Sequence, residues 1–320
     1  MKAETQFTNL YDLREYFSNE TICRAYLEQF RWGGKPVCPF CGSEKPYKLG
    51  DGKTYKCSNK ECYKKFTATV GTIFENTKIP LSKWFVAMYL ITSHKKGISS
   101  LQLHRDLGVT QKTAWFINHR IREMLKDNAP TVLANVVEVD ETFVGGKEKN
   151  KHKSKRIPGT QGRSTETKTV MFGLLERNGK VVAYKVPNTK KKTLQTIIKG
   201  TVQKGSIIIS DEWKGYNGLS AKFAHLRVNH SQDIYVDGIA HTQNIDGFWS
   251  LLKRGIIGIY HSISDQHTDR YVTEFVQRYN TRDTSEVERF NLFLSQCEGR
   301  LKYKDLINKA QLFSPIEEQL

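Results

Sequence analysis

The sequence predicts a mixed α/β protein in which a small cysteine-bearing module and a helical region precede a sheet-containing domain. Three observations carry that expectation. Five of the six cysteines, Cys23, Cys38, Cys41, Cys57 and Cys62, fall within the first 62 residues. Between Pro80 and Leu125, Trp84, Met88 and Ile91 recur at three- and four-residue steps, as one helix face requires. From Val132 the order becomes strands, helix, strand, helices, which suits a mixed sheet packed against helices. The expected divisions are residues 1–75 (N-terminal helix and cysteine module), 76–130 (helical region), 131–283 (α/β domain) and 284–320 (a tail with no readable motif).

The cysteine module is the most specific local signal. Cys38-Pro39-Phe40-Cys41 is one knuckle, and Cys57 to Cys62 is a looser second one. Four soft ligands on two knuckles suit tetrahedral Zn²⁺ and leave no open coordination position, so the expected zinc is structural. Tyr47-Lys48-Leu49 and Lys53-Thr54-Tyr55-Lys56 flank Gly50-Asp51-Gly52 and read as a hairpin between the knuckles, the layout of a zinc ribbon. Cys23 has no paired neighbour and is expected inside a preceding helix. Lys35, Lys48, Lys56 and Lys64 surround the module and make DNA a plausible ligand.

In the helical region, Ser99 to Leu107 is followed by Gly108, which suits a tight turn, and by Thr110, which suits a helix N-cap. The pair reads either as a DNA-binding helix-turn-helix or as a plain packing element. In the first reading Lys112, Trp115, Asn118, Arg120 and Arg122 lie on or near the second helix.

In the third division Val136 to Asp140 reads as a buried strand. Thr169–Glu176 and Lys180–Val186 flank Asn178-Gly179, a strong hairpin signal. Thr193–Lys199 suggests a helix, Ser206–Ser210 a central strand, and Asn244–Arg254 and Asp265–Tyr279 two further helices. The polar stretch from Gly145 to Lys168, with Lys147, Lys149, Lys151 and Arg156, reads as a mobile loop, either a solvated excursion or a grip on DNA.

Lys and Arg number 50 against 33 Asp and Glu, a net charge of +17, which points to a polyanionic partner. No apolar run reaches membrane-spanning length and the first residues lack an apolar signal core. A cytoplasmic, reducing location is therefore expected, with cysteines as metal ligands or buried thiols rather than disulfides.

Asp140 and Asp211 each lie at the expected end of an apolar strand, and Asp246 lies in the first turn of an expected helix. Alone, each has an ordinary explanation as a turn residue or a helix-dipole acid. Together they make an oxygen-donor set for Mg²⁺ or Mn²⁺ of the kind that supports phosphodiester chemistry. Lys253 falls seven residues after Asp246, on the same helix face, and suits a contact with the DNA backbone.

The strings around these acids are more specific than the acids themselves. Val137-Glu138-Val139-Asp140-Glu141-Thr142-Phe143-Val144-Gly145-Gly146-Lys147 resembles the first catalytic strand of a bacterial insertion-sequence transposase family, the ISXO2-like DDE enzymes. Ser210 to Tyr216 resembles the family's second motif and His241 to Gly255 its third. Gly258-Ile259-Tyr260-His261 and Glu274 to Asn280 extend the likeness, which covers about residues 18 to 282. The resemblance implies an RNase H-like catalytic core behind the ribbon, with Asp140, Asp211 and Asp246 holding two Mg²⁺ ions. It also implies double-stranded DNA as partner, recognised at terminal inverted repeats, and a homo-oligomer in the nucleoid. Lys112, Arg120, Arg122, Lys147, Lys253 and Arg254 are the expected DNA contacts. One position departs from the pattern: the family usually has Glu at the third acid, with Asn or His in some branches. Here it is Asp246, as in the mariner group, which shares the spacing of thirty-four residues between the second and third acids. Asn244 is the alternative third ligand, or else a helix cap. The shorter acid keeps open a DNA-binding protein without catalysis, and a nuclease of the same fold that does not join strands is a second alternative.

Overall fold

The computed structural model describes residues 7–126, 131–146, 148–158, 167–228 and 239–308. They form two compact units, one of residues up to Lys126 together with Asp283–Asn308, the other within Asp127–Arg282.

The first unit opens with helices α1 (Leu10–Tyr16) and α2 (Glu20–Trp32), capped by the side chains of Asn9 and Asn19. The ribbon follows as an antiparallel sheet of β1 (Pro46–Lys48), β2 (Thr54–Cys57) and β3 (Lys65–Thr67). Its hairpin is closed by Asp51, whose carboxylate accepts from the Lys53 and Thr54 N–H groups at 3.0 and 2.8 Å. Gly52, at φ +67°, supplies the left-handed turn. Helices α3 (Leu81–Ser93), α4 (Ser100–Leu107) and α5 (Gln111–Met124) come next. The α4–α5 turn forms as its sequence dictates. Gly108 ends α4 in the left-handed conformation, and Thr110 Oγ1 accepts the Thr113 N–H at 3.2 Å to start α5.

Residues after 283, where the sequence shows no motif, complete this unit. Helix α9 (Glu286–Ser295) starts with a capping box of Ser285 and Glu288 and places Phe290, Phe293 and Leu294 in the core. Phe290 packs edge-on against Phe7 and Phe85 at 5.4 and 5.5 Å. A short helix α10 (Tyr303–Ile307) follows. Cys23 is buried in α2, as expected, and Cys297 is buried beyond α9; burial pushes both thiols up to about 12.

The second unit is the mixed sheet. Its strands are β4 (Val136–Val144), β5 (Thr169–Glu176), β6 (Val181–Val186), β7 (Ile207–Ser210) and β8 (Ala224–Arg227), in the order β6-β5-β4-β7-β8. The β4–β5–β6 meander is antiparallel, whereas β7 and β8 run parallel to β4. This is the RNase H-like arrangement that the family resemblance implies. Helix α6 (Lys191–Thr201) packs on one face with Val137, Val139 and Phe172. Helices α7 (Gln243–Gly255) and α8 (Thr268–Asn280) pack on the other with Met171, Leu175 and Val181. The α7 face demands a glycine. A Cβ on Gly173 would stand 2.4 Å from the Trp249 ring, so only a residue without a side chain lets α7 come this close to β5.

Two details differ from the sequence reading. Strand β8 was not expected, because Ala224–Arg227 has no buried residue and no alternating apolar pattern. Asp140 lies in the middle of β4, not near its end, because the antiparallel pairing with β5 carries the strand on to Val144. Its parallel neighbour β7 does stop there, so Asp140 still faces the open carboxyl end of the β4–β7 pair.

Candidate active site and metal centre

In the ribbon, Sγ atoms of Cys38, Cys41, Cys57 and Cys62 lie within 4.8 Å of one another. Cys38 and Cys62 are 3.8 Å apart and Cys41 and Cys57 3.5 Å. Tetrahedral zinc with Zn–S bonds of about 2.3 Å requires sulfurs about 3.8 Å apart, so this group can hold structural zinc. Both knuckles are formed by local backbone bonds, Gly42 N–H to Cys38 O at 2.9 Å and Cys62 N–H to Asn59 O at 3.0 Å. The core beneath the cysteines is only Tyr55 and Phe66, edged by Trp32 and Val70.

The acids gather in the second unit. The β4–β7 register pairs Glu138 with Ile209; continued two residues, it sets Asp211 level with Asp140 on the adjacent strand. Asp211 is held by the Trp213 N–H, which donates to its Oδ1 at 2.9 Å. Asp246 lies in the first turn of α7, where Thr242 Oγ1 donates to its Oδ2 at 3.0 Å. Burial, then the charges of Asp246 and Asp211, push the Asp140 carboxyl up to about 7; the Glu141 N–H and the Lys253 charge oppose the rise. The charges of Asp246, Asp211 and Lys253 are thus all felt at Asp140. Among the described residues, only the cysteines pack all their ligand atoms as closely as 4.8 Å. On the opposite face of β4, burial also raises Glu141 to about 8, with a further push from Asp140 and Asp211; the fully buried Tyr216 hydroxyl relieves part of it.

Sequence reasoning missed Glu138, which sets the angle of α7. It is fully buried, two residues before Asp140 and so on the same face of β4. Its Oε2 accepts the N–H groups of Asn244 and Ile245, both at 3.0 Å, and its Oε1 accepts Asn244 Nδ2 at 2.8 Å. The helix is therefore capped from the strand. Thr242 occupies the N-cap position without capping, and Asn244, the alternative third ligand or cap, is committed to Glu138. Arg177 completes the anchor. Its Nε donates to Glu138 Oε1 at 2.7 Å, and its other nitrogens donate to the carbonyls of Ile239 and His241, each at 2.8 Å. A carboxylate in an apolar strand, in phase with Asp140, was the available signal. Glu138→Ala strands Arg177 and two helix N–H groups and should cost roughly 3–5 kcal/mol in urea unfolding of the sheet unit. A loss below about 1 kcal/mol would show that water replaces the carboxylate freely.

The expected DNA contacts divide by exposure. Lys112, Lys253 and Arg254 are exposed. Arg120 and Arg122 are not: they are 4% and 1% exposed, which corrects their placement on an open reading face. Arg120 is held inward by Trp84 and Phe116, whose ring centres lie 5.4 and 5.2 Å from its guanidinium carbon. Lys147 lies outside the described residues. In the nearby basic segment Arg156 donates to the carbonyls of Lys151 and Lys149 at 2.9 and 2.6 Å, so that residue is turned inward on its own loop. No helix among the described residues is long and apolar enough to cross a membrane.

Comparison with known proteins bears on the same two regions. Residues 132–280 match the ISXO2-like transposase domain, and residues 18–65 match the transposase zinc-ribbon domain. An uncharacterized protein in transposable element ISH50 of Halobacterium salinarum is 27% identical over 276 residues, 82% of this chain and 91% of that protein. An uncharacterized transposase-like protein of Haemophilus influenzae is 30% identical over 105 residues, 32% of this chain and 84% of that protein. Among solved structures, a chain of the simian T-cell lymphotropic virus intasome in complex with PP2A regulatory subunit B56 gamma aligns at 13% identity. That alignment covers 59% of this chain and 66% of that one, with a TM-score of 0.27. With the ribbon and the mixed-sheet domain each matched in their expected places, the chain belongs to the ISXO2-like insertion-sequence transposases.

Proposed function

We propose that this protein cuts and rejoins DNA at the ends of an insertion sequence, using Asp140, Asp211 and Asp246 with Mg²⁺ or Mn²⁺. The observation that carries the reading is the buried Asp140 carboxyl, raised by burial and by the charges of Asp246 and Asp211 and opposed by the Glu141 N–H and the Lys253 charge. Such a donor set is all hard oxygen and short of positive charge, which suits divalent magnesium. When bound, a metal pair activates the attacking oxygen and stabilises the leaving one. Asp140, Asp211 and Asp246 would together hold the metal. The anchored start of α7 holds Asp246 in place, and Lys253 and Arg254 are suited to steady the DNA backbone. The ribbon and the α4–α5 pair are suited to recognise terminal repeats, with Lys112 exposed in the first turn of α5. Handling two ends together calls for at least a dimer.

The test uses labelled duplexes carrying the terminal repeats, a target duplex and Mg²⁺. Release of a 3′-hydroxyl at the element end, followed by a joined product, is the expected result. Ends cut but never joined would replace the reading with a nuclease. Specific binding without cutting, unchanged in Asp246→Glu, would mark a protein that has lost catalysis.

A further inference from the structure

Arg120 poses a problem that its burial does not solve. It lines an open cleft of about 170 Å³ in the first unit, together with Glu75, Phe116, Arg300, Lys302 and Tyr303. Its Nη2 donates to the Glu75 backbone carbonyl at 2.7 Å, and its Nε is buried with no acceptor. The carboxylate at hand, Glu75, is taken by Arg300, whose Nη1 stands 2.8 Å from its Oε1. Lys112 reaches the same place and lies over the Tyr303 ring, 4.8 Å from its centre. Arg120, Arg300 and Lys302 thus line one cleft with a single carboxylate, Glu75, among its lining residues. The strain of that excess registers on Arg120, whose guanidinium is pushed down to about 10 by burial first and by the Arg300 charge second. Packing aromatic faces against the guanidinium offsets part of the cost of burying it but supplies no counter-charge.

We propose that this cleft receives one backbone phosphate of duplex DNA, held by Arg120 and Arg300. Guanidinium forks match phosphate oxygens with paired hydrogen bonds, which carbonyls and ring faces do not replace. The cleft adjoins the start of α5 through the Lys112–Tyr303 contact, so a phosphate seated there would set the register of that helix on the duplex. The residues between α9 and α10 then have a role, since they contribute Arg300 and Lys302. This inference rests on the DNA-binding part of the proposed function.

Two measurements on the full-length protein test it. Binding of a 30-base-pair duplex is followed by fluorescence anisotropy between 50 and 300 mM KCl. Thermal midpoints are compared in inorganic phosphate and in KCl of equal ionic strength. The variant is Arg300→Ala, a half-exposed residue at the cleft mouth, with Arg120→Lys as a second that keeps the charge and loses the fork. Arg300→Ala is expected to flatten the slope of log affinity against log salt by about 0.9, one phosphate contact. Phosphate should raise the midpoint of the wild type and leave that of Arg300→Ala unchanged, and Arg120→Lys should bind DNA more weakly than the wild type. An unchanged slope overturns the proposal. Phosphate protection with an unchanged slope would make the cleft a site for free anions instead. A flattened slope without phosphate protection would place Arg300 against DNA outside the cleft, which also overturns it. If the wild type binds no duplex, the failure lies in the broader DNA reading and shows before any variant is compared.

Discussion

Asp140→Asn is expected to remove metal-dependent cleavage, lowering its rate on the order of 10³-fold or more, about 4 kcal/mol of transition-state stabilisation. Asparagine keeps the shape of the side chain and discards the charge that would hold the metal. The same substitution should stabilise the metal-free protein at pH 8. The sign follows from the carboxyl, which stands at about 7 in the fold against an ordinary value of 3.8. A group raised by folding contributes fully below its unfolded value, and that contribution is lost as pH rises through the folded one. The wild type therefore loses stability between about pH 4 and pH 7 and the variant does not. Thermal midpoints of the two should agree near pH 4 and separate by pH 8, with the variant higher. Adding Mn²⁺ at pH 8 should raise the wild type alone. Protons compete with the ion at Asp140, so the apparent Mn²⁺ affinity should fall roughly tenfold per pH unit below about 7. Loss of activity with no gain in metal-free stability would mean that Asp140 is not the crowded acid of the site.

The second large effect belongs to the ribbon. Its core of Tyr55 and Phe66 is too small to hold three short strands without the metal. Structural zinc in such modules contributes on the order of 10–16 kcal/mol at neutral pH. Cys57→Ser should reduce bound zinc from one equivalent to none, and amide protection across β1–β3 should vanish in hydrogen exchange. Protection in β4 and β5 should persist, because those strands belong to the other compact unit. Zinc retained by Cys57→Ser, or a protected hairpin without zinc, would remove the metal from its structural role.

Local chemistry explains which parts of this architecture are legible in the sequence. The cysteine knuckles, the Gly108–Thr110 turn and the Asn178-Gly179 hairpin are each specified by a few adjacent residues, and each forms where expected. Helix α9 was equally legible: Val287, Phe290, Phe293 and Leu294 recur at helical spacing behind a Ser285–Glu288 capping box. It passes for a tail only when the search is for motifs rather than for periodicity. The positions of Asp140, Asp211 and Asp246 could be read from the strings around them. What each string cannot contain is the distance between strings.

That distance is a tertiary matter. Parallel pairing of β4 with β7 aligns Glu138 with Ile209 and carries Asp211 just past the paired strand, and no residue in either strand announces the register. Glu138 resembles any strand carboxylate until α7 arrives with two N–H groups and Arg177 with a guanidinium, from residues 106 and 39 positions away. Gly173 matters only because Trp249 lies against it. Arg120 and Arg122 show the reverse case, in which helical spacing suggested an open face and packing closed it. The amino-acid sequence by itself made most of the elements, the ribbon cysteines and the candidate acids legible, because turns, caps and knuckles act over a few residues. Only the tertiary structure decided how α7 is anchored and which cations stay exposed, because burial, register and the pairing of distant charges exist only once the chain has folded.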